Sequence, residues 1–107
     1  MQTTLWLSYD LGVRADYTSL YQWLDDMDAV ECGNNLACLK LEITDENTIP
    51  EYVKCELEAH MAFGKGDRLY LVWRNAQGIS QGRFIIGKRK ARPWQGFGKA
   101  SSDEDDV

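Results

Sequence analysis

One acidic residue stands alone at the end of an apolar run, and it is the first candidate for chemistry. Asp10 closes the stretch Thr4-Leu5-Trp6-Leu7-Ser8-Tyr9-Asp10-Leu11, which Gly12 follows. A short apolar run that ends at a turn signal is typical of a buried strand. A carboxylate at the end of such a strand is held by the scaffold and still reachable from solvent. In the alternative interpretation, Asp10 caps a turn or pairs with Arg14 or another base.

The basic residues form the second candidate site. Residues 64–100 hold nine bases and one acid, whereas residues 1–63 hold three bases and 12 acids. This asymmetry predicts either a polyanionic partner or self-association. Phosphates attract such basic side chains, and nearby aromatic rings can stack on nucleobases. The predicted nucleic-acid-binding residues are Arg83, Lys88, Arg89, Lys90, Arg92 and Trp94. In the alternative interpretation, these charges protect an edge strand from aggregation.

The remaining reactive side chains give weaker signals. His60 is the single histidine, so any imidazole acid–base role would fall to it, the alternative being a histidine without a role. Cys32, Cys38 and Cys55 are odd in number, and the five residues between Cys32 and Cys38 fit no usual zinc spacing. We therefore predict reduced thiols that act as small apolar side chains.

Two helices are predicted from apolar residues at helical spacing and from residues that are typical of helix ends. Asp16 is a plausible N-cap for the first helix. That helix should end near residues 26–28, and its predicted stripe is Tyr17, Leu20, Tyr21, Leu24 and Met27. For the second helix, Thr48 and Glu51 have the spacing of a capping box, and Pro50 would lie in the first turn. The second helix should end at Gly64 and Gly66.

Five strands complete the predicted fold. They are the run that contains Asp10, two strands joined at Gly33-Asn34-Asn35, the segment 67–74 and the segment 82–90. This order predicts an α+β, ferredoxin-like β-α-β-β-α-β-β sandwich, with two helices on one face of an antiparallel sheet. Residues 1–100 should form a single domain, and the acidic residues 101–107 a disordered tail.

The sheet face without helices carries apolar side chains in this prediction. Trp6 faces that way, as does one of the two side-chain sets of the segment 67–74. An uncovered apolar face favours a homodimer formed by sheet stacking. No apolar run approaches the length of a membrane span, and the N-terminus resembles no secretory signal. We therefore predict a cytoplasmic protein with no membrane partner.

The segment Leu7-Ser8-Tyr9-Asp10-Leu11, followed by a polar loop and Asp16-Tyr17-Thr18-Ser19-Leu20-Tyr21, resembles the start of SinR-like proteins. These are small relatives of the CRISPR-associated adaptation endoribonucleases and of the VapD-type toxin ribonucleases. Element order and Gly66-Asp67-Arg68-Leu69 extend the resemblance over about residues 4–90. The resemblance implies a ferredoxin-like homodimer with Asp10 near the dimer cleft. It also implies that the last strand adds to the neighbour's sheet.

A metal-dependent nuclease is the first functional hypothesis. Two Asp10 carboxylates related by a two-fold axis could hold a hydrated Mg²⁺, which prefers oxygen ligands. Such an ion could activate water for attack on a phosphodiester of RNA or DNA. Asp10 is then both the predicted catalytic residue and the predicted metal ligand. The alternatives are a non-catalytic dimer that binds nucleic acid or protein, and a protein that serves assembly alone.

Overall fold

The computed structural model describes residues 2–98 of the chain, and they form one five-stranded antiparallel sheet with two helices. The elements are β1 (Gln2–Asp10), α1 (Tyr17–Asp26), β2 (Val30–Glu31), β3 (Leu36–Glu42), α2 (Ile49–His60), β4 (Arg68–Arg74) and β5 (Ser80–Ile86). The strand order is β2-β3-β1-β4-β5. The predicted α+β class and helix count are confirmed. The predicted tail, residues 101–107, lies outside the described residues.

Strand β1 lies at the centre of the sheet and pairs with β3 on one side and β4 on the other. Its alternate residues Leu5 and Leu7 are fully buried in a core that also contains the apolar side chains of both helices. Because burial alternates along each central strand, both helices cover the same face. We call the other side the open face. Its strand residues include Thr4, Trp6, Ser8, Asp10, Leu36, Cys38, Lys40, Arg68, Tyr70, Val72, Arg74 and Phe84.

Helix α1 begins and ends where the sequence predicts. The Asp16 carboxylate caps it by accepting a hydrogen bond from the backbone N–H of Ser19 at 3.0 Å. The predicted stripe is wrong at one position, because Tyr21 is 53% exposed. Trp23, absent from that stripe, is buried instead. Its polar tip is satisfied, since Nε1–H donates to Glu56 Oε1 at 3.4 Å.

Helix α2 begins directly after Thr48, as predicted, but without the predicted capping hydrogen bonds. A 3₁₀ turn, Glu46–Thr48, leads directly into the helix, so Thr48 has a φ of −102° and a ψ of 4° instead of the extended angles of a capping residue. Its hydroxyl donates to the Asp45 carbonyl at 2.8 Å, and no side-chain cap forms. The predicted capping box is therefore wrong. Pro50 lies in the first turn as predicted, whereas the helix ends at His60, before the predicted Gly64.

The last strand also ends earlier than predicted, and Gly87 explains why. Strand β5 stops at Ile86, and Gly87 then turns the chain with a φ of +75°. A Cβ atom there would lie 2.5 Å from the carbonyl oxygen of Asp67 and 2.9 Å from Cγ of Arg68. Only glycine fits this turn, so the basic residues 88–92 lie outside the sheet.

The turn between β2 and β3 agrees with the predicted hairpin. Gly33 and Asn35 there have positive φ angles of 133° and 66°. Asparagine and glycine are the residues that tolerate such angles best. Neither helix within residues 2–98 is long and apolar enough to cross a membrane.

Asp67 joins two loops at one end of the sheet. Its carboxylate accepts the backbone N–H of Gly12, after β1, and the backbone N–H of Gly64, before β4, both at 2.7 Å. Asp67 is only 5% exposed. An acid this buried is tolerated because hydrogen bonds replace the water it has lost.

Replacement of Asp67 should destabilise the fold. Asp67→Ala leaves two backbone donors without their acceptor, and we expect the free energy of unfolding to fall by roughly 2–4 kcal/mol. Asp67→Asn keeps one acceptor oxygen and should lose less. Urea unfolding followed by tryptophan fluorescence measures both, with the exposed helix acid Asp26→Ala as the control. An unfolding midpoint of Asp67→Ala equal to that of the control would contradict this role.

Candidate functional site

Asp10 lies opposite Arg68 across the β1–β4 pair, and the two form an ion pair. Arg68 donates to Asp10 Oδ2 through Nη2 at 2.6 Å and through Nε at 3.1 Å. The Asp10 side chain remains 55% exposed, whereas that of Arg68 is 23% exposed. The geometry thus agrees with the interpretation in which Asp10 pairs with a base, and that base is Arg68.

This contact lowers the pKa of the Asp10 carboxyl below its ordinary value. The hydrogen bonds from Arg68 are the largest cause, because they favour the charged form. Partial burial acts in the opposite direction, while the positive charges of Arg68 and Lys90 lower the pKa further. The charge of Lys90 thus acts on Asp10 in the same direction as that of Arg68. Asp10 is ionised at neutral pH.

Two aromatic rings lie beside the ion pair on the open face. The ring centroids of Tyr70 and Phe84 are 4.7 Å apart, with their planes at 71°. The Arg89 guanidinium carbon lies 5.8 Å from the Tyr70 centroid and 5.2 Å from the Phe84 centroid. The guanidinium carbon of Arg68 lies 5.7 Å from the Phe84 centroid. These are cation–π distances. We call the set Asp10, Arg68, Tyr70, Phe84, Arg89 and Lys90 the basic corner.

Two glycines allow this arrangement. Gly82 lies under the Tyr70 ring, since a Cβ atom on it would lie 2.9 Å from Tyr70 Cζ. The turn at Gly87 then directs the chain so that Arg89 returns over Tyr70 and Phe84. Both glycines lie in the predicted last strand, but their role depends on the partner strand β4.

The structure separates some of the predicted nucleic-acid-binding residues. Arg83 donates to Glu51 of α2 at 3.1 Å, so it lies on the helix side of the sheet, away from the basic corner. Arg89 and Lys90 lie within the corner. Lys88 and Arg92 are exposed on the same segment, and Trp94 is 67% exposed. The binding role of all six remains a prediction.

The contacts of Asp10 bear on the predicted Mg²⁺ site. Within residues 2–98, no three histidine, cysteine, aspartate or glutamate side chains are grouped so that they could hold a metal ion. In one chain, a single carboxylate beside Arg68 and Lys90 does not suit Mg²⁺, which favours several oxygen ligands. The two-fold pair of Asp10 carboxylates remains a prediction about two chains.

The three cysteines and the histidine are not part of the basic corner. Cys32, Cys38 and Cys55 are all free thiols. His60 is exposed, and its Nδ1 lies 2.8 Å from the Glu56 carbonyl oxygen of the same helix. The sequence interpretation did not identify Arg68, Tyr70 and Phe84 as parts of a site. The alternation of side chains along β4 is a sequence signal that places Arg68 and Tyr70 on one face, whereas their pairing with Asp10 and Phe84 depends on strand register.

The charges of the molecule are separated by face. Helices α1 and α2 together carry five acids and one lysine. Among residues 2–98, the charged residues on or beside the open face include Asp10, Lys40, Glu42, Arg68, Arg74, Arg89 and Lys90. The two sides of the sheet therefore differ in sign, although the chain as a whole has a net charge of −5.

Comparisons of the chain with family models, curated proteins and solved structures found no match. The resemblance to SinR-like proteins therefore stays a prediction.

Loss of Arg68 should raise the pKa of Asp10 towards its ordinary value, because the hydrogen bonds to the charged form disappear. In the wild type the pair stabilises the fold above the unfolded pKa of about 3.9, and this stabilisation is lost as pH falls through the lower folded value. Carbon-13 NMR titration of the Asp10 carboxyl in Arg68→Ala measures the change. Asp16 is the internal control, because Ser19 lowers its pKa and the substitution leaves that contact intact. An unchanged Asp10 titration would contradict the assigned cause.

Proposed function

We propose that this protein binds nucleic acid through the basic corner. The observation that carries the proposal is the position of the Arg89 guanidinium, held over Tyr70 and Phe84 beside Arg68. Guanidinium groups bind phosphate oxygens with good geometry. Their contact with aromatic faces restricts their motion, so less entropy is lost when a phosphate binds.

The distribution of charge supports a polyanion as the partner. The acids of the helix layer lie on the far side of the sheet from the basic corner. A negative net charge therefore need not repel a phosphate backbone that approaches the open face. Lys88 and Arg92 lie on the same exposed segment as Arg89 and Lys90 and add to its positive charge.

We further propose a ferredoxin-like fold for the domain. Its support is the order β2-β3-β1-β4, with one helix after β1 and another after β3. In such folds one sheet face lacks helices and is available to a partner. Homodimerisation by stacking of open faces, which the sequence also predicts, would use this same surface and so competes with nucleic acid for it.

Removal of two positive charges at the corner should weaken nucleic-acid binding. The variant Arg89→Gln/Lys90→Gln is compared with Lys54→Gln/Lys65→Gln, which loses the same charge at exposed positions on α2 and before β4. Fluorescence anisotropy with labelled mixed-sequence RNA and DNA 20-mers gives the affinities at several salt concentrations. We expect the corner variant to bind about tenfold more weakly and its slope of log K against log salt to shrink by roughly 1.5. The control should change little.

Two outcomes would contradict this proposal. One is no binding of RNA or DNA by the wild type at low salt. The other is an equal loss of affinity in the corner variant and the control, since this would indicate a non-specific effect of net charge. Circular dichroism and thermal unfolding of both double variants confirm that the comparison is made between folded proteins.

Metal-dependent cleavage is the second candidate function, and the exposure of the ionised Asp10 carboxylate is the observation that favours it. Arg68→Ala distinguishes the two functions, because one predicts weaker nucleic-acid binding without cleavage and the other predicts faster Mg²⁺-dependent cleavage. If Asp10 only holds Arg68, the variant should bind nucleic acid more weakly and show no cleavage with Mg²⁺. If Asp10 binds metal, loss of the competing cation should increase Mg²⁺-dependent cleavage. The activity should then disappear in Asp10→Ala and with EDTA.

A further inference from the structure

The open face carries a row of apolar side chains that leads to the basic corner. Trp6 lies opposite Val72 in β4, and the next position of β4 on the same face is Tyr70, which lies opposite Phe84. All four side chains are half-buried, so part of each ring or methyl surface still contacts solvent. Rings at the surface of a sheet can stack on nucleobases of any sequence.

Trp6 has open space beside it at the end of the row opposite to the basic corner. It borders a groove of about 610 Å³ that is also lined by Thr4 and Arg74. Arg74 and Arg68 lie at the two ends of β4. Six steps along a strand separate their backbones by about 20 Å. The row thus has a guanidinium at each end and aromatic rings between them.

The shape of this surface favours unpaired bases. A five-stranded sheet with strands about 4.8 Å apart is roughly 20 Å wide, whereas the major groove of DNA is about 12 Å wide. The sheet therefore cannot enter the groove of a duplex. Bases in a duplex are also stacked on each other, so their faces are not available to Trp6 or Tyr70. A single strand can place its bases on the rings and its phosphates on the arginines.

Charge argues against a second copy of the chain as the occupant. The basic residues on this side of the sheet include Lys40, Arg74 and the three of the basic corner. They outnumber the acidic residues Asp10 and Glu42. Two copies stacked face to face would bring surfaces of the same sign together. Like charges that lose water at an interface weaken association. A polyanion has the complementary charge.

We infer that the open face binds single-stranded nucleic acid, with an unpaired base stacked on Trp6 and the backbone held by Arg74 at one end and the basic corner at the other. The inference rests on the proposed function and adds to it the strandedness of the ligand and the role of Trp6.

The test compares Trp6→Ala with Tyr52→Ala, which removes an exposed aromatic side chain from α2. Anisotropy is measured with a labelled mixed-sequence single-stranded 12-mer, as RNA and as DNA, and with the blunt duplex of the same sequence. We expect the wild type to bind the single strand at least tenfold more tightly than the duplex. Trp6→Ala should weaken single-strand binding about 5- to 100-fold and leave duplex binding unchanged. Tyr52→Ala should match the wild type.

A second measurement on the unaltered protein avoids any dependence on the folding of a variant. In a ¹H–¹⁵N spectrum, the Trp6 indole signal should shift when the single-stranded 12-mer is added. The buried Trp23 indole, which donates to Glu56 on the helix side, should not shift and is the internal control. Trp6→Phe, which keeps an aromatic ring, should retain most of the single-strand affinity.

The outcomes distinguish this inference from the proposed function. If the Trp6 signal and the Trp6→Ala affinity do not change, while Arg89→Gln/Lys90→Gln still weakens binding, the inference is wrong and the proposed function stands. If no nucleic acid binds at all, both are wrong. Light scattering gives the remaining outcome: a dimer that Trp6→Ala dissociates would show that a second copy occupies the open face, which also overturns the inference.

Discussion

The structure depends on one constraint: β1 is hydrogen-bonded on both edges and covered on one face only. Both edges are occupied by antiparallel neighbours, so the register fixes which residues lie beside β1 on each side. Period-two alternation then divides its side chains between core and open face. Leu5 and Leu7 enter the core, and Trp6 and Asp10 must lie on the other side. A slip of one residue would exchange these sets.

The basic corner follows from that register as a chain of contacts. Asp10 holds Arg68, Arg68 lies over Phe84, and Arg89 lies over Phe84 and Tyr70. Exposed ion pairs contribute little to stability, and an exposed cation–π contact contributes about 0.5–1 kcal/mol. The fold therefore does not depend on these contacts for its stability. Their physical effect is to hold two guanidinium groups in defined positions on the open face.

Charge separation explains how an acidic chain can present a basic surface. The acids of α1 and α2 lie above the covered face, while most bases follow α2 in the chain and reach β4, β5 and the segment after Gly87. Charges separated by about 10 Å or more through solvent are largely screened at physiological salt. The local sign of a surface thus decides which ligand approaches it, more than the net charge of −5 does.

The sequence by itself determined the features that depend on neighbours in the chain: the N-cap at Asp16, the hairpin turn at Gly33, the alternation of β1 and the order of the elements. It placed the start of α2 correctly at Thr48 but predicted capping hydrogen bonds that do not form, because the Thr48 hydroxyl is bonded to the preceding turn. It also placed the end of β5 too late, because Gly87 is confined by the backbone of Asp67 and by Arg68. Only the tertiary structure decided the partner of Asp10. That partner lies 58 residues away, and its position depends on strand register, which no local pattern encodes.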